Sequence, residues 1–471
     1  MTSPVTDANA SPANVRTWLA DLAWSPALGL RTDVLIEADG ERLVRVTPDV
    51  SQPPASAARL HGLTMPGLAN AHSHAFHRAL RGITQASRGT FWTWRERMYE
   101  VADRLDPGSY LALATAVYAE MALAGVSCVG EFHYLHHGRG GTRYADPNEL
   151  GRVLIEAAGR AGIRITLLDT CYLSGGLSAG GRYQPLEGPQ LRFGDGDSEA
   201  WAARVDLFGP AAGGGLGPAV RAGAAIHSVR AVPLAQMHGV VAWSHRYGVP
   251  LHAHLSEQVA ENRACLAAYR ATPAEVLSQA GALGPRSTAV HATHLTGSDV
   301  DLLGGGRCHA CFCPTTEADL ADGIGPAREL ADAGSMLTLG SDSHAVIDLL
   351  EEARRVELGE RLASQERGHF TAVELATAAT AAGHASLGWA DAGELAAGAL
   401  ADFVTVALDT PRTAGGSQAT ALESVIFGAS AADVTDVVIG GRDVVRDGTH
   451  LLVADVPGQL ATAISAVLAA G

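Results

Sequence analysis

Long apolar runs recur along the middle of the chain, with helix-forming stretches between them. The runs are Leu63 to Ala71, Val126 to Phe132, Ile163 to Thr170, Ala222 to Ile226, Val249 to His254, Thr288 to His291, Cys308 to Cys313 and Met336 to Gly340. Intervening segments such as Tyr110 to Ala124, Glu149 to Ala161, Pro273 to Ala280 and Glu351 to Glu366 are rich in Ala, Leu, Glu and Arg, which favour helix. A strand that is apolar throughout is buried on both faces, as in a parallel sheet covered by helices. Eight such strands alternating with helices predict an α/β fold, a parallel (β/α)8 barrel of TIM type, with an open doubly wound sheet as the rival.

The two ends of the chain read differently. Val34-Leu35-Ile36 and Leu43-Val44-Arg45-Val46 flank Asp39-Gly40, a hairpin signal. Asp402 to Val406, then Val437 to Ile439 and Val444-Val445 around Gly440-Gly441, repeat that style. Short strands at one end alone would leave raw edges, so a small β-sandwich domain built from both termini is expected. The expected division is residues 1–64 for its N-terminal part, 65–394 for the barrel, and 395–471 for its C-terminal part with a closing helix. Phe208 to Pro218 is Gly-rich but lacks the Lys-Ser/Thr of a phosphate-binding loop, and reads as a connection.

Composition narrows the chemistry. With 47% hydrophobic and 18% charged residues, the chain has ample apolar mass for a core. Its 34 basic residues are all arginine against 50 acidic ones, for a net charge of −16. The absence of lysine excludes Schiff-base catalysis, pyridoxal phosphate anchoring, a Walker-type phosphate loop and a carboxylated lysine bridging two metals. The acidic balance argues against nucleic-acid or anionic-membrane partners and leaves a small soluble molecule as the expected one. No apolar stretch of about 20 residues occurs, and Met1 to Pro12 lacks a basic segment followed by an apolar run, so a cytoplasmic protein is expected. Cys308, Cys311 and Cys313 could suggest a metal cluster, but they lie in a buried-strand pattern with no second pair, and core packing is the better reading.

The ends of the apolar runs carry the chemistry. They close in His72-Ser73-His74, Glu131-Phe132-His133-Tyr134, His227, His252-Ala253-His254-Leu255-Ser256-Glu257, His291 and Ser341-Asp342-Ser343-His344. In a barrel the C-terminal strand ends form the active face, so these distant residues converge there. The side chains of His-x-His on a strand point the same way and can reach one ion. A third imidazole from His254 and an oxygen from Asp342 would complete a Zn²⁺ site with room left for water, the arrangement of a catalytic zinc.

Met65 to His74, His254-Leu-Ser-Glu257, His291 and Gly340-Ser-Asp342 together resemble the amidohydrolase superfamily in its mononuclear deaminase branch. Longer strings resemble the members of that branch that act on formimino groups, over about residues 30 to 450: Phe91-Trp-Thr-Trp-Arg95-Glu-Arg-Met-Tyr99, Glu131 to His137, Cys313 to Leu320 and Asp322-Gly-Ile324. The resemblance implies that His72, His74, His254 and Asp342 bind one zinc per subunit. It further implies that Asp342 takes a proton from water, that His291 orients this water and stabilises charge, and that Glu257 protonates the departing nitrogen. The implied reaction is hydrolysis of N-formimino-L-glutamate to N-formyl-L-glutamate and ammonia, a step of histidine degradation, in a homodimer.

A substrate with two carboxylates needs fixed cationic donors, and the resemblance places its contacts on Arg95, Tyr134, His227 and Arg230. His77 stands where these relatives carry Gln; it can still donate a hydrogen bond, with a different charge and reach. Two rivals stand beside this reading. One is a zinc-dependent deaminase of a heteroaromatic ring such as guanine, which needs an aromatic or amide-lined pocket instead of two arginines. The other is a non-enzymatic assembly protein, in which the ligands would be expected to decay, whereas all four stand.

Overall fold

A computed structural model describes residues 15–86, 88–208 and 216–470. The leader expectation for Met1 to Pro12, and residues 209–215 of the Gly-rich connection, lie outside the described residues. The chain opens with β1 (Val15–Ser25), β2 (Gly29–Asp39), β3 (Arg42–Thr47) and β4 (Ala58–Pro66). The hairpin turn between β2 and β3 uses Gly40 at φ +57°, a conformation that glycine adopts without strain.

Eight parallel strands follow: β5 (Leu68–Ser73), β6 (Val126–His133), β7 (Arg164–Cys171), β10 (Val220–Ile226), β11 (Leu251–Leu255), β12 (Ser287–His291), β13 (His309–Phe312) and β14 (Met336–Leu339). Between β7 and β10, β8 (Gly176–Leu177) and β9 (Tyr183–Gln184) form a separate hairpin. The eight strands pair in chain order, and a parallel bridge between Ser73 and Asp342 joins the first strand to the residues just past the last. The sheet is therefore a closed (β/α)8 barrel, and the open doubly wound alternative is excluded.

The chain ends with β15 (Phe403–Val406), β16 (Val434–Ile439), β17 (Arg442–Arg446), β18 (Thr449–His450) and a helix over Val456–Ala469. These strands join β1 to β4 in one continuous sheet, where β4 of the N-terminal segment pairs antiparallel with β15. One face of this sheet packs on the barrel. The other encloses its own core of Trp18, Ile36, Leu43, Phe403 and Val438.

Two details depart from the sequence reading. The run Leu63 to Ala71 is divided between sheets: Leu63 to Pro66 pair with β15, and the barrel begins at Leu68. Gly67 makes the step, because a Cβ there would lie 2.4 Å from Ser127 Oγ. β1 escapes an alternation test because it is bulged: Trp18 and Ala20 face the terminal core, whereas Leu22 and Trp24, past a register shift, face the barrel. No helix among the described residues is long and apolar enough to cross a membrane.

Asp402 pins the two units together. Its carboxylate accepts from Arg164 Nε at 2.6 Å and Nη2 at 3.1 Å and from the Gly440 N–H at 2.7 Å, while its carbonyl accepts from the Gly67 N–H at 3.0 Å. Both side chains of the ion pair are buried. Removing Asp402 leaves Arg164 with only the partly exposed Glu41 as a carboxylate partner among the described residues, at 3.2 Å, so Asp402→Ala is expected to cost about 3 kcal/mol, the low end for a broken buried pair. Thermal unfolding checks this, and an unchanged midpoint would assign the pair no role in joining the sheets.

Candidate active site

The seam between β5 and the end of β14 builds the floor of the site. The Asp342 N–H donates to His72 O at 3.0 Å and the His74 N–H donates to Asp342 O at 3.3 Å. These backbone bonds bring three side chains to one point: His72 Nε2 lies 3.3 Å and His74 Nε2 3.4 Å from Asp342 Oδ1. His254 reaches across from β11, with its Nε2 3.1 Å from that of His72. His72, His74 and Asp342 therefore form one close group, and His254 reaches it through His72, with which it forms a second group that includes His291.

The arrangement fits a divalent cation. His74 Nδ1 donates to Phe132 O and His254 Nδ1 to His227 O, each at 2.9 Å, which leaves both Nε2 lone pairs facing inward. Burial lowers the pKa of His72 and His254 and pushes that of His74 down to about 3, so all three imidazoles are neutral and able to ligate. Lone pairs this close repel one another. A cation held among them would remove that repulsion. Three nitrogens and one carboxylate oxygen are donors suited to zinc.

His291 sits over this floor with Nε2 3.8 Å from Glu257 Oε1 and 3.9 Å from Asp342 Oδ2, and with Nδ1 3.4 Å from Glu317 Oε1. Burial opposes its protonation, but with no cation bound the three carboxylates outweigh burial and raise its pKa to about 10. Arg230 Nη2 donates to Glu257 Oε2 at 2.7 Å, and Arg230 Nε lies 3.2 Å from Glu261 Oε2. Ser256, His291, Ala292, Asp342 and His344 all have positive φ, a costly region for residues with a Cβ. Strain gathered at the strand ends is a common mark of a functional rim.

A cleft opens above, lined by His74, His77, Arg95, Tyr134, His227, Arg230, His254, Glu257, His291 and Asp342; His72 lies beneath its floor. Phe91, Trp94, Met98, Tyr99 and Tyr172 complete its walls. The Arg95 guanidinium stacks over Trp92 at 4.7 Å and Tyr99 at 5.5 Å, and has no carboxylate partner among the described residues. His77 Nε2 lies 2.8 Å from the Tyr134 hydroxyl, so these two form a pair in the wall.

Sequence reasoning did not single out Glu317 and Glu261, which hold His291 and Arg230. The available signal was their spacing on the helices that follow β13 and β11. Two further groups of ligand-type side chains occur among the described residues. Beside His133 and His136, both Asp169 oxygens accept from Arg204 at 2.7 and 2.8 Å, and Trp201 Nε1 adds a third donor, so this is a buried ion network. Beside His291 and Cys313, Glu317 Oε1 already accepts from the Cys313 N–H at 2.9 Å. All six cysteines are free and buried, and Cys311 and Cys313 pack with Ala71 and Val290 in the barrel interior.

The amidohydrolase family profile matches residues 63–444. Formimidoylglutamate deiminase of Pseudomonas aeruginosa is 38% identical over 428 residues, covering 88% of this chain and 91% of that protein. The 8-oxoguanine deaminase of the same organism is 32% identical over 445 residues, covering 92% and 94%. An amidohydrolase crystal structure from Brucella melitensis superposes with a TM-score of 0.87 at 30% identity, covering 96% of this chain and all of that one.

Loss of one donor from the floor is expected to weaken divalent-metal affinity more than 10-fold, as in His254→Ala or Asp342→Asn, because even residues that only support metal ligands cost that much. Metal content after gel filtration measures it. Full occupancy in both variants would show that these side chains do not form the metal site.

Proposed function

This chain belongs to the amidohydrolase family as a metal-dependent hydrolase of C–N bonds, and we propose that it deiminates N-formimino-L-glutamate to N-formyl-L-glutamate and ammonia. His72, His74, His254 and Asp342 would hold one zinc per subunit. The observation that carries the reading is the polarity of the cleft: carboxylates and His291 gather at the floor, while arginines occupy the walls. Identity of 38% to a formimidoylglutamate deiminase supports it.

A zinc held by these residues at the floor would make water a stronger nucleophile near neutral pH and would polarise the carbon under attack. Asp342 faces that point and accepts the proton that the attacking water gives up. His291, held by Glu257 and Glu317, donates a hydrogen bond to the oxygen as it adds to the amidine carbon. Glu257 is anchored by Arg230 and stands on the other side of His291, where it can pass the proton that the water gave up on to the departing nitrogen. The C–N bond then breaks, ammonia leaves, and the formyl C=O forms. The substrate's carboxylates are assigned to Arg95 and Arg230, with Tyr134, His227 and His77 completing the contacts. Arg95 is the freer of the two arginines, because Arg230 already serves Glu257 and Glu261. The same resemblance carries the rest of the reading, a homodimer in the cytoplasm.

One observation favours a second reading. Phe91, Trp94, Tyr99, Tyr134 and Tyr172 give the cleft aromatic walls suited to a flat heteroaromatic ring, and a relative 32% identical is an 8-oxoguanine deaminase. Ammonia release from N-formimino-L-glutamate, N-formimino-glycine and guanine by metal-replete protein decides between them. Arg95→Ala is expected to lower kcat/KM for N-formimino-L-glutamate by about 10–100-fold, the loss of one charged hydrogen bond. Turnover of guanine alone, unchanged in Arg95→Ala, would transfer the assignment to the ring deaminase.

A further inference from the structure

We propose that Arg192, which touches neither the metal floor nor the cleft, is a positioning residue that sets the spacing of the cleft walls; the inference rests on the reading of that cleft given above. Arg192 is fully buried and has no carboxylate within ion-pair distance among the described residues. A lone guanidinium inside a protein is unfavourable unless its donors are satisfied. Here three of them donate to backbone carbonyls. Nε donates to His137 O at 2.9 Å, Nη2 to Leu105 O at 2.7 Å, and Nη1 to Ala102 O.

Those carbonyls belong to two different walls. Ala102 lies in the last turn of α1 (Phe91–Arg104), and Leu105 directly follows it. The final carbonyls of a helix are its negative end and lack partners within the helix, so a cation there both caps and anchors α1. α1 supplies Phe91, Trp94, Arg95, Met98 and Tyr99 to the cleft. His137 belongs to the loop after β6, which supplies Tyr134. That loop is tied a second time, since the His136 and His137 N–H groups donate to Arg192 O at 3.0 and 2.9 Å.

The same short 3-10 turn, Gly188–Arg192, carries Gln190, whose Nε2 donates to the Tyr99 hydroxyl and to Gly175 O, each at 2.9 Å. Three lining segments therefore converge on one turn behind the cleft. A planar fork with fixed, diverging donors holds carbonyls of two segments at a set spacing, which the three rotatable donors of an ammonium on a flexible stem do not fix. The metal ligands and the groups around His291 lie on other elements and do not depend on this clamp.

The test is steady-state kinetics of Arg192→Lys and Arg192→Gln, with metal content and thermal midpoint measured alongside. Loosening the walls is expected to raise KM for N-formimino-L-glutamate at least about 10-fold, since misplacement of positioning groups by about 1 Å can cost 100-fold. kcat is expected to stay within about 3-fold, with metal content unchanged. A lowered midpoint with KM unchanged would overturn the proposal, because Arg192 would then serve the fold alone. So would a fall in kcat without a rise in KM, or failure of both variants to fold. If the wild type does not turn over N-formimino-L-glutamate, the substrate assignment fails on its own, and the same KM split is read with guanine.

Discussion

Closure of the barrel and assembly of its reactive floor are one event. The last strand returns to the first through backbone bonds that Asp342 exchanges with His72 and His74, and those residues carry three of the four converging donors. A sheet left open at this edge would leave the aspartate and the His-x-His pair apart. Completion of the hydrogen-bond ladder thus enforces the convergence that electrostatics alone would resist, since nothing but a cation makes four inward-facing lone pairs agreeable neighbours. The positive φ of Asp342 follows from the same constraint, because its backbone must reach His72 and His74 while its carboxylate faces the floor.

Two kinds of histidine share that small volume. Where imidazoles crowd one another beside apolar groups such as Phe132, as at His72 and His254, burial outweighs other influences and lowers their pKa. Where carboxylates surround the ring, as at His291, their charges overcome the same burial and hold a proton on it. Identical chemistry in adjacent positions therefore yields ligands in one case and an acid in the other. The difference lies entirely in which strand end supplies the neighbours. Glu317 and Glu257 come from the segments after β13 and β11, on the side of the floor away from the β5 seam.

The cleft walls follow a separate logic. They are built by α1, by the loop after β6 and by the turns near Gly175, none of which takes part in the barrel ladder. Their aromatic residues bury apolar surface against one another, while Arg95 stacks on Trp92 and Tyr99 and keeps its guanidinium free of acids. Substrate preference in this architecture can change through the walls while the floor stays intact. Relatives with different named substrates at similar coverage agree with that division of labour.

Much of this was legible in the chain itself. Strands apolar on both faces and separated by helical stretches determined a parallel sheet covered by helices on both sides, and the Ser73–Asp342 bridge decided that it closes into a barrel. The residue types at their ends determined that imidazoles and one carboxylate would meet, since the C-terminal ends of barrel strands share one face. Other features had no local signature. The division of Leu63 to Ala71 depends on Ser127, which crowds any side chain at 67, and the face switch in β1 depends on its partners in β4. The charge of His291, the pairing of Arg230 with Glu257 and Glu261, and the clamp at Arg192 depend on contacts between segments far apart in sequence. A periodicity records which way a side chain points from its own strand or helix; only the packed structure decides what stands opposite it.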